Sequence, residues 1–477
     1  MITSADSSAL YEQVADRIEK LIRTGTLRAG ERIPSVRRAS AQHGVSMTTA
    51  IQAYLALENR GLIEARPRSG YYVRALIRDR VPEPLETRPR HAARLVGVGR
   101  LLSRLFDADR NPEVVPLGAA YPGAENLPSV KLSRIMASVA RSAGSRGVCY
   151  DMPPGSEHLR RQLARRSLDW GTQLSPDEII TTCGATEALT LCLRAVTKPG
   201  DIVAVESPTY FGVLHQIEEL RLKAVEIPMH PRDGMQLDAL ESALKKHRVA
   251  ACLAVPNFSN PLGSLMPDEN KQRMLELLAK RDIPLIEDDI NGPLCHAGFR
   301  PRVVHSWDQE GRVMLCGGFS KTIAPGYRVG WVAPGRYYEK VKALKLTNTL
   351  ATPTLPQLAV AEFVANGGYD HHLRSLRRNL GEQVARMSEA IADAFPKGIK
   401  ITRPQGGFVL WVELPKKVSA LELHELALAE KVSIAPGPMF SASLQFENFI
   451  RINCGHPWSS RIEGAIGTLG RLVQRLG

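Results

Sequence analysis

The first 75 residues carry apolar positions at helical spacing and two short runs that are typical of strands. A helix is predicted over residues 10–23, with an apolar face at Leu10, Val14, Ile18 and Leu21. Ser35 is the N-cap candidate of a second, short helix, and Ser46 is that of a third. Residues 62–64 and 71–73 follow as two strands around a basic turn. This order predicts a helix-turn-helix with a hairpin wing.

From residue 114 the pattern changes to short apolar runs separated by helical segments. Five such runs predict buried strands, at 179–182, 202–206, 250–255, 283–286 and 313–316. Strands that alternate with helices predict an α/β domain with a mainly parallel sheet. Ligands bind at the carboxyl ends of the strands in such sheets, so the polar residues that follow each run form the candidate site.

The segment Gly318–Trp331 is the most informative of these strand ends. Lys321 lies just past the run 313–316, and Arg328 follows seven residues later among Pro and Gly turn residues. An amine and a guanidinium in this arrangement suit a carbonyl cofactor that bears a phosphate, because lysine forms an imine and arginine holds a phosphate. The segment resembles the Schiff-base segment of pyridoxal 5′-phosphate (PLP) enzymes of the aspartate aminotransferase fold. The alternative is a solvated loop lysine.

The other strand ends match the same family in order and spacing, although each feature alone is compatible with ordinary packing. A small-residue turn opens the helix after the first run, and the N–H groups of a helix N-terminus suit a phosphate. The resemblance implies that Tyr210 stacks on the pyridine ring, Asn260 bonds the ring oxygen O3′, and Asp288 keeps the ring nitrogen protonated. The expected cofactor-binding residues are Gly184, Ala185, Thr186, Tyr210, Asn260, Asp288, Ser320, Lys321, Arg328 and Tyr150.

Two of the family's matches lie outside these strand ends. Tyr150 resembles the tyrosine that reaches the phosphate of the neighbouring subunit, so the resemblance implies a homodimer. Arg451 lies in an apolar strand near the C-terminus and resembles the arginine that binds the substrate carboxylate. A buried arginine is costly without a partner anion, and the alternative for Arg451 is a buried salt bridge.

Two departures from the family pattern affect the tuning of the cofactor. The family commonly has a tyrosine two or three residues after the cofactor aspartate, where this chain has Ile290 and Asn291. It commonly has a serine or threonine three residues before the lysine, where this chain has Gly318. An asparagine can hydrogen-bond O3′ but supplies no phenol. We therefore expect PLP binding without efficient transamination.

The first 75 residues resemble a second family, the winged helix-turn-helix of GntR-type transcription regulators. The matching strings are Ile33–Arg37, Gly44–Thr49, Leu57–Ile63 and Arg66–Val73. The resemblance implies that the third helix enters the major groove while the wing contacts the DNA backbone. The expected DNA-binding residues are Arg37, Ser46, Thr48, Thr49, Arg66 and Arg68. Met47 stands where many relatives carry a polar contact residue. Each of the expected DNA-binding residues, taken singly, could instead belong to a solvated helix face.

Charge and cysteine usage agree with an intracellular DNA-binding protein. Residues 1–110 contain 19 Lys and Arg against 12 Asp and Glu, so this part supplies seven of the 13 net positive charges of the chain. A basic N-terminal part suggests a polyanionic partner. None of the seven cysteines is spaced as a Cys-x-x-Cys motif, and the chain contains neither a signal-peptide pattern nor a run of about 18 apolar residues. We therefore expect a cytoplasmic protein with no membrane span and no metal site.

We predict an aspartate-aminotransferase-like α/β domain with a mixed, mainly parallel sheet and a small C-terminal α+β part, preceded by a winged helix-turn-helix. The expected boundaries are 1–75 for the DNA-binding domain, 76–113 for an extended basic linker that ends in a helix, and 114–477 for the PLP-binding domain. This layout resembles the MocR subgroup of GntR regulators. The resemblance implies a homodimer that binds double-stranded operator DNA and senses an amino compound, or PLP itself, through a lysine-bound cofactor.

Two alternatives stay open at this stage. One is an active PLP-dependent aminotransferase of amino acids that carries a DNA-binding appendage, because most of the chemistry-bearing residues are present. The other is a DNA-binding module whose PLP domain is purely structural. The sequence alone identifies neither the effector nor the operator, and it does not distinguish an activator from a repressor.

Overall fold

The structure is a computed structural model that describes residues 10–23, 26–27, 30–59, 62–66, 69–73, 81–89, 92–99, 110–298, 300–366 and 368–477. The chain divides into two units, residues 1–80 together with 384–389, and residues 81–383 together with 390–477. In the part of the chain that is described, no helix is long and apolar enough to cross a membrane.

In the described part of residues 1–80, the smaller unit contains three helices and a two-stranded hairpin. Its elements are α1 (Leu10–Arg23), α2 (Val36–His43), α3 (Met47–Asn59), β1 (Ile63–Arg66) and β2 (Gly70–Val73). The Ser35 hydroxyl accepts a hydrogen bond from the Arg38 N–H at 3.3 Å, and the Ser46 hydroxyl accepts one from the Thr49 N–H at 3.1 Å. Both N-caps are therefore where the sequence predicts them, because each satisfies a backbone donor of a first helical turn.

The core of the smaller unit lies between α1, α3 and the hairpin. Its largest fully buried side chains are Tyr54, Ile33, Leu57 and Ile63, and the Tyr54 hydroxyl donates to the Pro34 carbonyl at 2.6 Å. The buried face of α1 is Val14, Ala15, Ile18 and Ile22. Leu10 and Leu21 were predicted for that face but are 52% and 41% exposed, so the predicted apolar stripe is wrong at both ends.

The larger unit is built on a mixed, mainly parallel sheet, which confirms the predicted fold class. Among the described residues this sheet has nine strands, one of which, Gly234–Met235, adds only a short antiparallel pairing to the strand Lys223–His230. Its strands are β3 (Arg94–Leu95), β5 (Ile180–Thr182), β6 (Ile202–Ser207), β7 (Lys223–His230), β8 (Gly234–Met235), β9 (Val249–Ala254), β10 (Leu285–Asp288), β11 (Val313–Gly318) and β12 (Gly330–Ala333).

The order of the main path is β3-β7-β6-β9-β10-β11-β12-β5. Neighbours from β7 to β11 are parallel, whereas β12 is antiparallel to both β11 and β5. Alternate side chains enter different buried clusters: Ala204, Cys252 and Leu285 belong to one, and Val203, Val205 and Leu253 to another. Because both faces are buried, these strands appear in the sequence as continuous apolar runs.

Helices follow most strands of the sheet and supply both clusters. They are α4 (Ser129–Ala143), α5 (Glu157–Ser167), α6 (Ala185–Val196), α7 (Phe211–Glu219), α8 (Leu237–Lys246), α9 (Asp268–Ala279), α10 (Tyr338–Asn348), α11 (Thr354–Ala365) and α12 (Gly368–Ala394). The parallel strands β6, β7, β9, β10 and β11 thus have their carboxyl ends at one edge of the sheet, where the candidate residues follow.

The C-terminal part is a smaller α+β arrangement, as predicted. An antiparallel sheet has the order β13-β14-β17-β16, and β15 pairs with β4 in parallel. The elements are β4 (Val115–Pro116), β13 (Lys400–Ile401), β14 (Val409–Glu413), α13 (Ala420–Ala429), β15 (Val432–Ser433), β16 (Ala435–Pro436), β17 (Phe449–Asn453) and α14 (Ser460–Leu476). Residue 451 faces Trp411 and Ala435 across the centre of this sheet.

The segment expected to be a linker is attached to the larger unit over much of its described length. The Thr87 N–H donates to the Met229 carbonyl at 3.1 Å, and Arg403 donates to the Val81 carbonyl at 3.0 Å. The helix expected in this segment does not begin as early as Leu95, because β3 pairs there with the edge of β7. Gly99 is helical, and residues 100–109 of the expected helix lie outside the described residues.

Replacing Leu57 with Ala tests the core of the smaller unit. Leu57 is fully buried in α3, so the change should lower the free energy of unfolding of that unit by about 2–5 kcal/mol, as loss of a buried leucine does. Leu55 lies in the same helix but is 47% exposed, so Leu55→Ala is the matched control. It should change the free energy of unfolding by less than about 1 kcal/mol. Thermal and urea unfolding of the full chain measure both. Equal losses in the two variants would contradict the packing described.

Candidate functional site

A cavity of about 260 Å³ lies at the carboxyl-end edge of the large sheet. Its wall combines residues that follow β6, β9, β10 and β11 with the start of α6. Of the residues expected to bind the cofactor, eight line it: Ala185, Thr186, Tyr210, Asn260, Asp288, Ser320, Lys321 and Arg328. The structure therefore brings these eight residues together, although up to 143 positions separate them in sequence.

Lys321 lies in the first turn after β11 and is half-buried in this wall. Its Nζ donates a hydrogen bond of 2.5 Å to the Ala120 carbonyl and lies 6.0 Å from the centroid of the Phe408 ring. Burial, followed by the positive charge of Arg451, lowers the pKa of Lys321 to about 8. The amine thus has a larger neutral fraction near neutral pH than an ordinary lysine, and the neutral amine is the form that attacks a carbonyl.

The start of α6 and Arg328 form a cup suited to an anion. Gly184 precedes α6 with a φ of 84°, and a Cβ there would lie 2.3 Å from Arg328 Nη2. Arg328 donates from Nη2 to the Cys183 carbonyl at 3.1 Å and from Nη1 to the Ser320 hydroxyl at 3.4 Å. The guanidinium and the first N–H groups of the helix therefore converge, which is the chemistry that binds phosphate.

A buried ion pair supports the cup and was not anticipated from the sequence. Glu187 accepts hydrogen bonds of 2.7 Å from both the Cys183 N–H and Lys345 Nζ. Burial alone would raise the pKa of Glu187, but the hydrogen bonds from Lys345 and Thr349 outweigh it and the pKa is lowered. Glu187 is thus held as a carboxylate that fixes the Cys183–Gly184 turn. Lys345 is 158 positions away in sequence, and no local pattern links the two.

Asp288 ends β10 and lies buried in the cavity wall. One of its oxygens accepts a hydrogen bond from the Ile290 N–H at 3.1 Å. Burial raises the pKa of Asp288 to about 6, against the opposing effect of that hydrogen bond. A cationic ligand group beside Asp288 would lower this pKa again, because it favours the charged form. Asp289 does not line this cavity, and it accepts a hydrogen bond of 2.8 Å from Asn257 Nδ2.

Tyr210 and Asn260 complete the polar wall. The Tyr210 ring folds back over the start of α7, and a Cβ on Gly212 would come within 2.4 Å of it, so glycine is needed at 212 for this ring position. Asn260 Oδ1 accepts a hydrogen bond of 3.1 Å from Arg451 Nη1, which leaves the amide Nδ2 as the donor on the cavity side.

Arg451 is fully buried in β17, as expected for an arginine in an apolar strand, and it is not among the residues that line the cavity. Its Nη2 donates to the Gly118 carbonyl, and its guanidinium lies 5.3 Å from the Phe211 ring centroid and 5.1 Å from that of Phe440. Gly118 and Ala120 thus offer carbonyls to the two cations Arg451 and Lys321 from one short segment.

Tyr150 is 75% exposed and lies away from the cavity of its own chain. It lines a surface groove together with residues 147–149 and 351–356. Val148, in the same groove, is 90% exposed. The structure therefore does not bring Tyr150 to the cavity of its own chain.

The two departures from the family pattern have a structural setting. Asn291 lines the cavity, and its Nδ2 donates to the Phe258 carbonyl at 2.9 Å. A Cβ on Gly318 would lie 3.3 Å from Ile290 Cδ1 and 3.4 Å from the Ala185 nitrogen. A side chain at residue 318 would therefore enter the space between β11 and the start of α6, next to the cup.

The expected DNA-binding residues lie at the surface of the smaller unit where they are described. Arg37, Ser46 and Thr48 are exposed, and Thr49 is half-buried. The Ser46 and Thr49 hydroxyls lie 2.8 Å apart and belong to the N-terminal cap of α3, so Thr48 is the freer contact residue. Arg66 ends β1 but its side chain lies outside the described residues, as does the whole of Arg68.

Comparison with known proteins identifies two families in the chain. The model of aminotransferase class I and II matches residues 113–466, and that of the bacterial regulatory proteins of the GntR family matches residues 10–73. The chain belongs to the GntR-type transcription regulators that carry an aminotransferase domain, the MocR subgroup.

Relatives of the same length carry the same layout. The chain is 39% identical to the uncharacterized HTH-type transcriptional regulator YdcR of Escherichia coli K12, over 97% of this chain and 99% of the relative. It is 41% identical to YjiR of the same organism, over 98% and 99%. Among solved structures, a multiple substrate aminotransferase from Thermococcus profundus is 28% identical, with a TM-score of 0.73 over 78% of this chain and 94% of that one.

The cofactor of this domain is pyridoxal phosphate, as the family and its solved structures imply. The cavity fits that group on its own chemistry. It offers an amine of lowered pKa, an anion cup at the start of α6, a buried carboxylate and a tyrosine ring. The cofactor supplies a carbonyl for the lysine and an electron-withdrawing ring, and the residues around it bind and orient it.

Cofactor attachment to Lys321 should depend on pH in a direction set by the lowered pKa. The rate at which cofactor-free protein gains visible absorbance with PLP should rise with pH and level off above about 8, because the amine is neutral there. For a lysine with the ordinary pKa of about 10.4, this rate would level off more than two pH units higher.

Borohydride treatment followed by peptide mass analysis identifies the attached residue. Lys321→Ala should lose the band and the label, and Lys340→Ala, at an exposed lysine of α10, should keep both. A label on another lysine would end the assignment.

Proposed function

We propose that the protein is a transcription regulator that binds operator DNA through its winged helix and senses an amino compound, or PLP itself, at the Lys321 cavity. The observation that carries this proposal is the union, in one chain, of a GntR-type winged helix with a cavity that has all the main groups for holding PLP. A cytoplasmic location follows from the proposed role.

Each cavity residue has a role in this proposal. Lys321 would attach the cofactor, and the cup of Gly184, Ala185, Thr186, Ser320 and Arg328 would hold the cofactor phosphate. Tyr210 would stack on the ring, and Asn260 would donate an amide hydrogen to the ring oxygen. Asp288 would pair with the ring nitrogen, and the positive charge there would return the pKa of Asp288 toward its ordinary value.

Arg451 would hold the carboxylate of an amino-acid effector. Its guanidinium is bonded to Asn260 Oδ1 and to the Gly118 carbonyl, and a carboxylate is a stronger acceptor than either. The segment that carries Gly118 and Ala120 has to shift for a ligand to reach both Arg451 and Lys321. The effector would thereby bind one arrangement of this segment more tightly than the other. A regulatory shift requires such a difference in affinity between two states.

A homodimer is part of the proposal. Tyr150 and Val148 form an exposed apolar surface beside the groove of residues 351–356. Exposed clusters of this kind mark interaction surfaces. In the family Tyr150 would reach the cofactor phosphate of the neighbouring subunit, and a dimer would present two winged helices to a two-part operator.

The second candidate function is an active aminotransferase that also binds DNA. It is favoured by the 30% identity of this chain to a 2-aminoadipate transaminase of Thermus thermophilus, over 80% of this chain and 96% of that one. It is disfavoured by Asn291 and Gly318, because both positions face the cofactor-binding elements without the phenol or hydroxyl that the family commonly has there.

DNA binding should weaken as salt rises, because phosphate contacts release counterions. Arg37→Ala should weaken binding to all duplexes and reduce the salt slope by about one. Thr48→Ala should weaken binding several-fold to the preferred operator and less to random DNA.

Arg471→Ala, which removes an exposed arginine from α14 in the larger unit, is the control for charge alone. Fluorescence anisotropy with flanking intergenic DNA, with and without candidate amines, measures all of these. An intact operator affinity after deletion of residues 1–75 would refute the proposed DNA-binding unit.

Amino acids should change the cofactor absorbance of the native protein but turn over slowly. Asn291→Tyr should lower the pH at which the cofactor band titrates, because a phenol near O3′ favours the deprotonated linkage. Asn291→Phe adds the ring without the hydroxyl and should leave that pH unchanged. Absorbance titrations and a keto-acid assay measure both effects. Steady-state transamination by the native protein with kcat of order 10 s⁻¹ would favour the enzyme instead.

A further inference from the structure

A second cavity of about 380 Å³ lies beside the first and is separated from it by the ends of β10 and β11. Consecutive residues face the two cavities: Asp288 lines the first, and Asp289 lines the second. The other walls come from the end of α5, the turn around residue 300, and the first three turns of α12. None of the roles proposed above uses this cavity.

Positive charge exceeds negative charge in this second cavity. Among the described residues its charged side chains are four arginines and three aspartates: Arg166, Arg300, Arg374, Arg377, Asp169, Asp289 and Asp370. Two of the aspartates pair with one arginine, since Arg166 Nη2 lies 2.8 Å from Asp370 and 3.5 Å from Asp169.

Two of the arginines have no carboxylate partner within the described part of the chain. Arg377 donates to the carbonyls of Pro293 and Gly298 at 2.6 and 2.7 Å, and Arg374 forms neither an ion pair nor a hydrogen bond there. Burial lowers the pKa of Arg377, and the nearby charges of Arg300 and Arg166 add to this effect. An uncompensated cation in a half-buried site favours an anionic ligand.

Arg300 is the third of these arginines. Its side chain is only 9% exposed, and Nη2 pairs with Asp289, whereas Nε and Nη1 make no hydrogen bond with any described residue. Both of these nitrogens are shielded from solvent, and Nη1 lies so close to Gly292 that a Cβ there would come within 1.7 Å of it. Arg300 therefore adds charge beside the cavity, whereas Arg374 and Arg377 are the arginines free to bind a ligand.

Aromatic rings form the remaining wall of the second cavity. Trp170 and Trp331 are stacked, with ring centroids 4.9 Å apart, and Phe319 and Tyr369 lie on the same wall. Arg300 lies 5.5 Å from the Trp170 ring centroid. A site that combines arginines with flat apolar walls suits a ligand with a charged head and a planar body.

We propose that this second cavity binds a small organic dianion, a phosphate monoester carried on a planar ring. Arg374 and Arg377 hold the phosphate from α12, and Arg300, which is paired with Asp289, forms part of the wall. The ring lies against the apolar wall of Trp170, Trp331 and Phe319. This inference goes beyond the sensing role proposed for Lys321 and holds whether or not that cavity senses an amine.

Phenyl phosphate, inorganic phosphate and phenol are the probes that separate the two parts of this ligand. The protein is first loaded with PLP and reduced with borohydride, so that the cofactor phosphate cup is covalently occupied. Isothermal titration should then give one site per chain for phenyl phosphate, weaker binding of inorganic phosphate, and no binding of phenol. Absence of phenyl phosphate binding, or equal binding of phenol, would overturn the proposal.

Matched variants locate the site. Arg374→Gln and Arg377→Gln should each weaken phenyl phosphate binding about tenfold, since each removes a charge-assisted hydrogen bond. Arg378→Gln removes an exposed arginine one residue further along α12 that does not line the cavity, and it should leave binding unchanged. Arg377 also bonds two backbone carbonyls, so Arg374, which is exposed, is the decisive variant if Arg377→Gln unfolds.

A cofactor-free preparation keeps this test independent of the first cavity. Isothermal titration of the cofactor-free protein with phenyl phosphate should show two classes of binding site. Arg328→Gln should abolish one class, and Arg374→Gln should weaken the other. A single class that responds only to Arg328→Gln would overturn the second site and leave the cofactor assignment intact.

Discussion

The anion cup depends on a backbone contact that admits no side chain. Gly330 in β12 lies so close to the turn before α6 that a Cβ on it would come within 2.4 Å of the Gly184 carbonyl carbon. A Cβ on Gly184 would in turn meet the Arg328 guanidinium. The antiparallel register of β12, with Gly330 opposite both Gly318 and Thr182, creates this approach. Arg328 therefore reaches the start of α6 only because glycine stands on both sides.

The charges around the cavity are arranged for a ligand that carries both signs. Burial moves the pKa of Lys321 down to about 8 and that of Asp288 up to about 6, so each group is closer to neutral than it would be in water. A phosphate in the cup and a protonated ring nitrogen at Asp288 would reverse part of that effect. Cofactor affinity and the protonation of these two residues are consequently linked, and a change in one shifts the other.

Much of the fold and of the first cavity could be predicted because their determinants are local. Each strand end carries its functional residue within a few positions, so apolar runs and the motifs after them are enough. Glu187 and Lys345, which support the cup, are far apart in sequence, and no local pattern links them. The same holds for the second cavity, where Asp289 and Arg300 are far in sequence from the arginines of α12. The expected helix does not reach back to Leu95, for the related reason that β3 is decided by its pairing with β7.

Asn291 shows how a structure can limit an expectation drawn from residue chemistry. An asparagine there could in principle donate to the cofactor ring oxygen, but its Nδ2 is already bonded to the Phe258 carbonyl. One of the two N–H groups of this amide is therefore used, and its second N–H and its carbonyl oxygen are the groups left for the cavity. Asn260 has its oxygen bonded to Arg451 and offers its amide N–H groups to the cavity. Without a phenol, the linkage proposed for Lys321 would keep a proton to higher pH. We therefore expect amine exchange at Lys321 to be favoured over the proton transfers that complete a transamination.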